Sequence, residues 1–151
     1  MAPARIDRPS AVVVLVEDSD EDFDTAVEAL RRLGSPAEVR RASTGGDGVA
    51  LLRQQDRDRP TLVIMDLNTP GIDGREALSM IKSDPAVQKT PVVVFSTSAN
   101  PRDVSYCYAT GANAFHVKPV RYPQHVQTLT ELFAYWLEQV VLPVDPSAVP
   151  G

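Results

Sequence analysis

Five short apolar runs, separated by segments of helical period, constrain this chain more than any other feature of its sequence. Ala11 to Val16 is rich in β-branched residues. It is too short for a helix core and continuous enough to be covered on both faces. Phe23, Ala26, Val27, Leu30 and Leu33 then recur at helical spacing up to Gly34, which is placed to end a helix. Ala37 to Arg41 reads as a weak, edge-like strand, and Val49, Leu51 and Leu52 mark a short second helix. Thr61 to Met65 is a strong strand, Glu76 to Lys82 a helix, and Pro91 to Phe95 another β-branched run. Asn100 before Pro101 supplies a cap and first-turn signal for a helix ending near Gly111. Ala114 to Val117 is a short fifth strand. The spacing predicts one long final helix over Gln124 to Val141, with Val126, Leu129, Leu132, Phe133, Trp136, Leu137 and Val140 on one face.

Strands that alternate with helices need crossover connections, and right-handed crossovers place helices on both sides of a parallel sheet. The expected class is therefore doubly wound α/β, with five strands and five helices. A length of 151 residues suits one domain. Residues 1–10 and 143–151 carry prolines and little apolar pattern, so they are expected to be flexible tails around a fold over 11–142. No apolar run approaches the roughly 18 residues of a membrane span, and no basic leader precedes one. The single Cys107 cannot close an internal disulfide or build a cysteine zinc site. Twenty acids against fifteen bases leave a net charge of -5, which disfavours nucleic acid. The expectation is a cytoplasmic protein that contacts neither membrane nor nucleic acid directly.

Ligands of doubly wound sheets sit outside the carboxyl ends of the strands. There the first strand delivers Glu17 and Asp18, the third Asp66, the fourth Ser96 with Thr97, and the fifth Lys118 before Pro119. Taken singly, these have ordinary readings: an acidic turn favours a helix N-terminus, and a lone Asp is often a cap. Their joint placement points to a site. Three carboxylates about 4 Å apart repel by roughly 4 kcal/mol per pair at an effective dielectric of about 20, so they call for a counter-charge. A divalent cation with Lys118 supplies it, and magnesium fits a set of oxygen ligands that leaves room for a phosphoryl group. Asp66 would attack phosphorus as a carboxylate nucleophile, with Lys118 and Ser96 stabilising the transferring oxygens.

These residues resemble the signature of response-regulator receiver domains, the phosphoacceptor half of two-component signalling. The likeness runs from about Ala11 to Val141. Its pieces are Val14-Leu15-Val16-Glu17-Asp18, Met65-Asp66-Leu67-Asn68-Thr69-Pro70-Gly71-Ile72-Asp73-Gly74, Val94-Phe95-Ser96-Thr97 and Val117-Lys118-Pro119. The resemblance implies a flavodoxin-like sheet of order 2-1-3-4-5, phosphorylation of Asp66 by a sensor histidine kinase, and a signalling protein rather than an enzyme. It implies that Mg²⁺ is held by Glu17, Asp18, Asp66 and the Asn68 backbone carbonyl, with Lys118 contacting the phosphate. Ser96 and Phe115 would form the switch, with Phe115 turning toward space that Ser96 vacates. A cis peptide before Pro119 also belongs to the pattern. Gly74-Arg75-Glu76, Ser96-Thr97-Ser98 and Tyr135-Trp136-Leu137 are similar to the stand-alone receivers that partner phytochrome-type kinases. With no output domain after it, such a chain would act through protein contacts. The apolar end of the last helix, with Phe133, Trp136, Leu137 and Val140, is the expected surface of a symmetric homodimer.

Other signals carry less. Gly45-Gly46-Asp47-Gly48 lacks a following Gly-Lys-Ser/Thr and reads as a helix-entry turn rather than a nucleotide loop. His116 and His125 have no metal-ligand spacing and are placed away from the acidic cluster. Arg31-Arg32 and Arg40-Arg41 read as solvated charges at element ends, and Cys107 as packed. A haloacid-dehalogenase-type hydrolase also forms an aspartyl phosphate, but needs an acid two residues after it, where Asn68 stands. A flavin carrier is disfavoured by the acidic first loop.

Overall fold

The runs densest in β-branched and aliphatic residues become the interior of the sheet. In the computed structural model, which describes residues 10–148, these are β1 (Val12–Val16), β3 (Thr61–Met65) and β4 (Val92–Ser96), each buried along its whole length. The weaker runs form the two edges, β2 (Glu38–Ala42) and β5 (Ala114–Val117). All pairings are parallel and the order is β2-β1-β3-β4-β5, as the sequence reading expects. Glu38, Arg40 and Arg41 make β2 a charged edge, and β5 is only four residues long.

The crossovers are α1 (Asp20–Leu33), α2 (Gly45–Arg53), α3 (Gly74–Ser83), α4 (Pro101–Thr110) and α5 (Tyr122–Ala134). Ser19, Thr44, Asp73 and Asn100 cap the first four by accepting backbone N–H groups of the first turn. Gly34 ends α1 at φ 68°, a left-handed conformation that a side chain would resist. Successive strand side chains point to opposite faces, so the strands feed two cores. Val12, Val14, Val16, Met65 and Val94 pack with Val49, Leu78, Ile81 and Cys107 from α2, α3 and α4. Val13, Leu15, Ile64 and Phe95 pack with Ala26, Leu30, Leu129 and Phe133 from α1 and α5.

The C-terminal end of the chain departs from the sequence expectation. The final helix is not continuous to Val141: α5 ends at Ala134, and Tyr135–Gln139 form a π-helical turn closed by Val140 N–H donating to the Tyr135 carbonyl at 2.9 Å. A π turn takes in an extra residue and re-phases the side chains. Trp136, Leu137 and Leu142 pack against the α1/α5 core, while Tyr135 and Val141 face solvent. Phe133 is completely buried, so its assignment to a contact surface is corrected: its ring belongs to the monomer's own interior. Trp136, Leu137 and Val140 are half-buried.

The expected C-terminal tail also has structure. The Asp145 amide donates to the Arg57 carbonyl at 2.9 Å, and Pro146–Ala148 form a 3₁₀ turn. The expected N-terminal tail falls, apart from Ser10, outside the described residues. Lys118–Pro119 is trans, contrary to the cis bond that the resemblance implies. No helix among the described residues is long and apolar enough to cross a membrane.

Truncating a fully buried ring leaves a cavity that the neighbours refill only in part. Phe133→Ala should therefore cost about 3–5 kcal/mol in chemical denaturation, whereas Val141→Ala should stay within about 0.5 kcal/mol of the parent. Equal midpoints for the two variants would contradict this packing.

Candidate functional site

Register brings the site together. Val16 pairs with Ala42 on one side and Met65 on the other, so Glu17 and Asp66 emerge side by side from neighbouring strands. The Asp66 amide continues the ladder by donating to the Val16 carbonyl at 3.1 Å, and Glu17 N–H donates to the Ala42 carbonyl at 2.9 Å. On the far side, Lys118 N–H donates to the Ser96 carbonyl at 2.7 Å, which ties the end of β5 to the end of β4. Gly74 sets the floor of the β3–α3 loop. A Cβ there would collide with the Asp66 carbonyl and the Leu67 Cα, and the Gly74 amide donates to the Leu67 carbonyl at 3.0 Å. Only glycine lets α3 start this close to the Asp66 backbone.

Lys118 crosses from β5 to the acids. Its Nζ donates to Glu17 Oε1 at 2.5 Å, Asp22 Oδ2 at 2.8 Å and Asp66 Oδ2 at 3.1 Å. Glu17, Asp66 and Lys118 are all buried, while Asp18 is exposed at the rim. One oxygen each from Glu17, Asp18 and Asp66 lies within 4.8 Å of the others, close enough to share a metal ion. The donor set is all carboxylate, which suits a hard divalent cation. Burial pushes Glu17 up to about 7, even though Lys118 bonds and attracts it. Burial alone would draw Lys118 down, but its bonds to Asp22 and Glu17 and the field of Asp66 hold it above the ordinary lysine range. Three acceptors around one Nζ fix Lys118 as the ammonium. Glu17 is the member whose charge is costliest to bury.

The other residues picked out by sequence lie around this cluster. Ser96 is fully buried at the end of β4, and its hydroxyl accepts from Ser98 N–H at 3.3 Å. Phe115 is half-buried against the core beneath α4, and its amide donates to the Tyr108 hydroxyl at 3.1 Å. Asn68 is exposed, with its amide donating to Asp66 Oδ1 at 3.2 Å. His116 and His125 take no part in the acid–lysine cluster. His125 is buried at the start of α5 with its ring 5.4 Å from that of Phe95, and burial lowers its pKa.

Sequence reasoning missed three contributors. Asp22 is one of several acids in the first turns of α1, and only the fold distinguishes it from Asp20, Glu21 and Asp24. Arg41 is not a solvated charge: it donates to the Glu17 carbonyl at 3.0 Å, pairs with Asp20 at 2.7 Å and lies 4.8 Å over the Phe23 ring. It thereby braces the β1–α1 turn. Arg75 donates twice to Asp103 at 2.8 Å, and Ser98 Oγ donates to the same carboxylate at 2.7 Å, so the loop after Ser96 is tied to α3. The bonds from Arg75 and then Ser98 hold Asp103 at about 2. These partners lie far apart in sequence, and no local pattern joins them.

A cavity of about 760 Å³ lies elsewhere. It lies at the amino ends of the strands, beside Leu52, Thr61, Val87 and Pro143. The chemistry belongs to the acid cluster at the opposite pole, at the carboxyl ends of the strands.

Residues 13–130 match the response regulator receiver domain family. The chain is 35% identical over 139 residues to the response regulator Rcp1 of Synechocystis, covering 89% of this chain and 95% of Rcp1. It is 31% identical over 129 residues to the probable methanogenesis regulatory protein FilR2 of Methanothrix harundinacea, with 83% of each covered. Among solved structures, the phosphorylated cyanobacterial phytochrome response regulator RcpA superposes with a TM-score of 0.83 at 37% identity, covering 89% of this chain and 99% of RcpA. The Mn²⁺-bound form of Rcp1 gives 0.81 at 34% identity, covering 90% and 100%. The haloacid-dehalogenase alternative finds no support in these matches.

Removing the ammonium strands buried carboxylates without a counter-charge. Lys118→Ala should lower stability by about 3–5 kcal/mol in metal-free buffer, and millimolar Mg²⁺ should recover a large part of the loss. Calorimetry with and without chelator reads this directly, and a melting temperature indifferent to magnesium in this variant would argue against a metal site among these acids.

Proposed function

This chain belongs to the response regulator receiver domain family, and we propose that Asp66 is its phosphoacceptor and a sensor histidine kinase its donor. The observation that carries the reading is the Asp66 carboxylate itself. It is buried at the end of a central strand, bonded to Lys118, and shares a metal-capable cluster with Glu17 and Asp18. In the transfer, an Asp66 oxygen forms a bond to phosphorus as the phosphorus–nitrogen bond of the phosphohistidine breaks, and the imidazole nitrogen keeps the electron pair. Asp66 presents both oxygens in defined directions, one to Lys118 and one to the Asn68 amide. Lys118 lies where charge develops on the transferring oxygens. Magnesium held by Glu17, Asp18, Asp66 and the Asn68 carbonyl would supply the remaining positive charge.

Ser96 and Phe115 form the switch in this reading. Ser96 is buried beside the site and Phe115 is half-buried on the next strand, so an inward pull on the Ser96 hydroxyl is felt in the packing around Phe115. The likeness to the cyanobacterial phytochrome response regulator RcpA favours a phytochrome-type kinase as partner, and the lone Cys107 suits a reducing cytoplasm. A symmetric homodimer through α4, β5 and α5 is the proposed output surface, with Trp136, Leu137 and Val140 at its border. Sedimentation at micromolar concentration, with and without a phosphoryl mimic, checks this; monomer in both conditions rules it out.

Incubation with acetyl phosphate or phosphoramidate and Mg²⁺ should add one phosphoryl group per chain by intact mass. Labelling should vanish in Asp66→Asn and in the presence of chelator. Stoichiometric labelling of Asp66→Asn at another residue would overturn the assignment.

A further inference from the structure

Asp22 enters the cluster by an unusual route. Ser19 caps α1 by accepting from the Asp22 amide at 3.2 Å, and an acid at the third position of a helix ordinarily reaches back to the capping residue's N–H. Here that N–H is already taken, because Ser19 N–H donates to Glu17 Oε2 at 3.2 Å. The Asp22 carboxylate is left to turn inward, and it accepts from Lys118 Nζ at 2.8 Å. It lies outside the trio whose oxygens could share a metal ion. It is also the most exposed of the three partners of Lys118, with 29% of its side chain accessible against 5% for Glu17 and 10% for Asp66.

An ammonium has three N–H donors, and here three carboxylates occupy them all. An arriving phosphoryl group can bond Lys118 only by displacing one. Glu17 and Asp66 would also have the metal as a partner, whereas the Asp22 carboxylate has Lys118 alone. With a divalent cation bound, the four acids Glu17, Asp18, Asp22 and Asp66 still exceed the cation and Lys118 by one negative charge, and neutralising Asp22 removes that excess. Lys118 does not need Asp22 to stay in place, since β5 anchors its backbone to Ser96 and two buried acids hold its head.

Resting on the phosphoacceptor reading above, we propose that Asp22 is a positioning residue that competes with the incoming phosphoryl group for Lys118. It brakes phosphorylation of Asp66 by holding the ammonium and by repelling an anionic donor.

The test compares the full chain with Asp22→Asn and Asp22→Glu. Initial rates of labelling by acetyl phosphate are measured at saturating Mg²⁺, and the lysine ammonium resonances are followed by ¹⁵N NMR with and without Mg²⁺. The Lys118 signal is assigned by its loss in Lys118→Arg. Asp22→Asn should label roughly two- to fivefold faster, the range expected for a partly exposed ion pair, and its Lys118 ammonium signal should shift or broaden. Asp22→Glu should restore both toward the parent. A rate in Asp22→Asn equal to or below the parent's, or a Lys118 signal that does not change, overturns the proposal. If the parent itself is not labelled at Asp66, the phosphoacceptor reading falls, and the ammonium signal still decides whether Asp22 holds Lys118.

Discussion

One ammonium makes this arrangement of acids possible. Glu17 and Asp66 leave adjacent parallel strands at the same level, and burial would force either to take up a proton or move away without a counter-charge. Lys118 reaches them from the opposite edge strand, and Asp22 from a helix that crosses the face of the sheet. Four elements are thus joined at one nitrogen. The arrangement holds only if β1, β3 and β5 end at the same level, which the parallel registers enforce.

Much of this was legible in the chain because burial and chemistry change over within one residue at each strand end. Val16 is followed by Glu17, Met65 by Asp66 and Val117 by Lys118, so the end of an apolar run also marks a site residue. The β-branched content of β1, β3 and β4, Gly34 after the first helix and the cap at Asn100 fix the alternation by local rules. What local rules cannot supply is partner choice. Arg41 resembles any arginine on an edge strand until the Glu17 carbonyl and the Phe23 ring are seen beneath it. Asp22 resembles any acid in a first helical turn.

At the C-terminal end the structure departs from local expectation for two reasons. Apolar spacing specifies a face, not the type of turn that presents it. Trp136 and Leu137 follow Phe133 at helical spacing and do pack against the same core, but they are carried by a π turn after Ala134, and the Phe133 ring is wholly interior rather than part of a surface stripe. Further on, the Asp145 amide bonds the Arg57 carbonyl, so a stretch poor in apolar pattern acquires a place through a backbone hydrogen bond.

The two rims of the sheet differ in a way that bears on life at high concentration. A stranger's backbone pairing along β2 would have to accommodate Glu38, Arg40 and Arg41, which are already engaged with Arg59, Asp20 and one another. On the other rim, β5 offers only four residues of template. Neither side is a good seed for runaway strand addition, so the valine-rich central strands stay sealed behind unattractive borders.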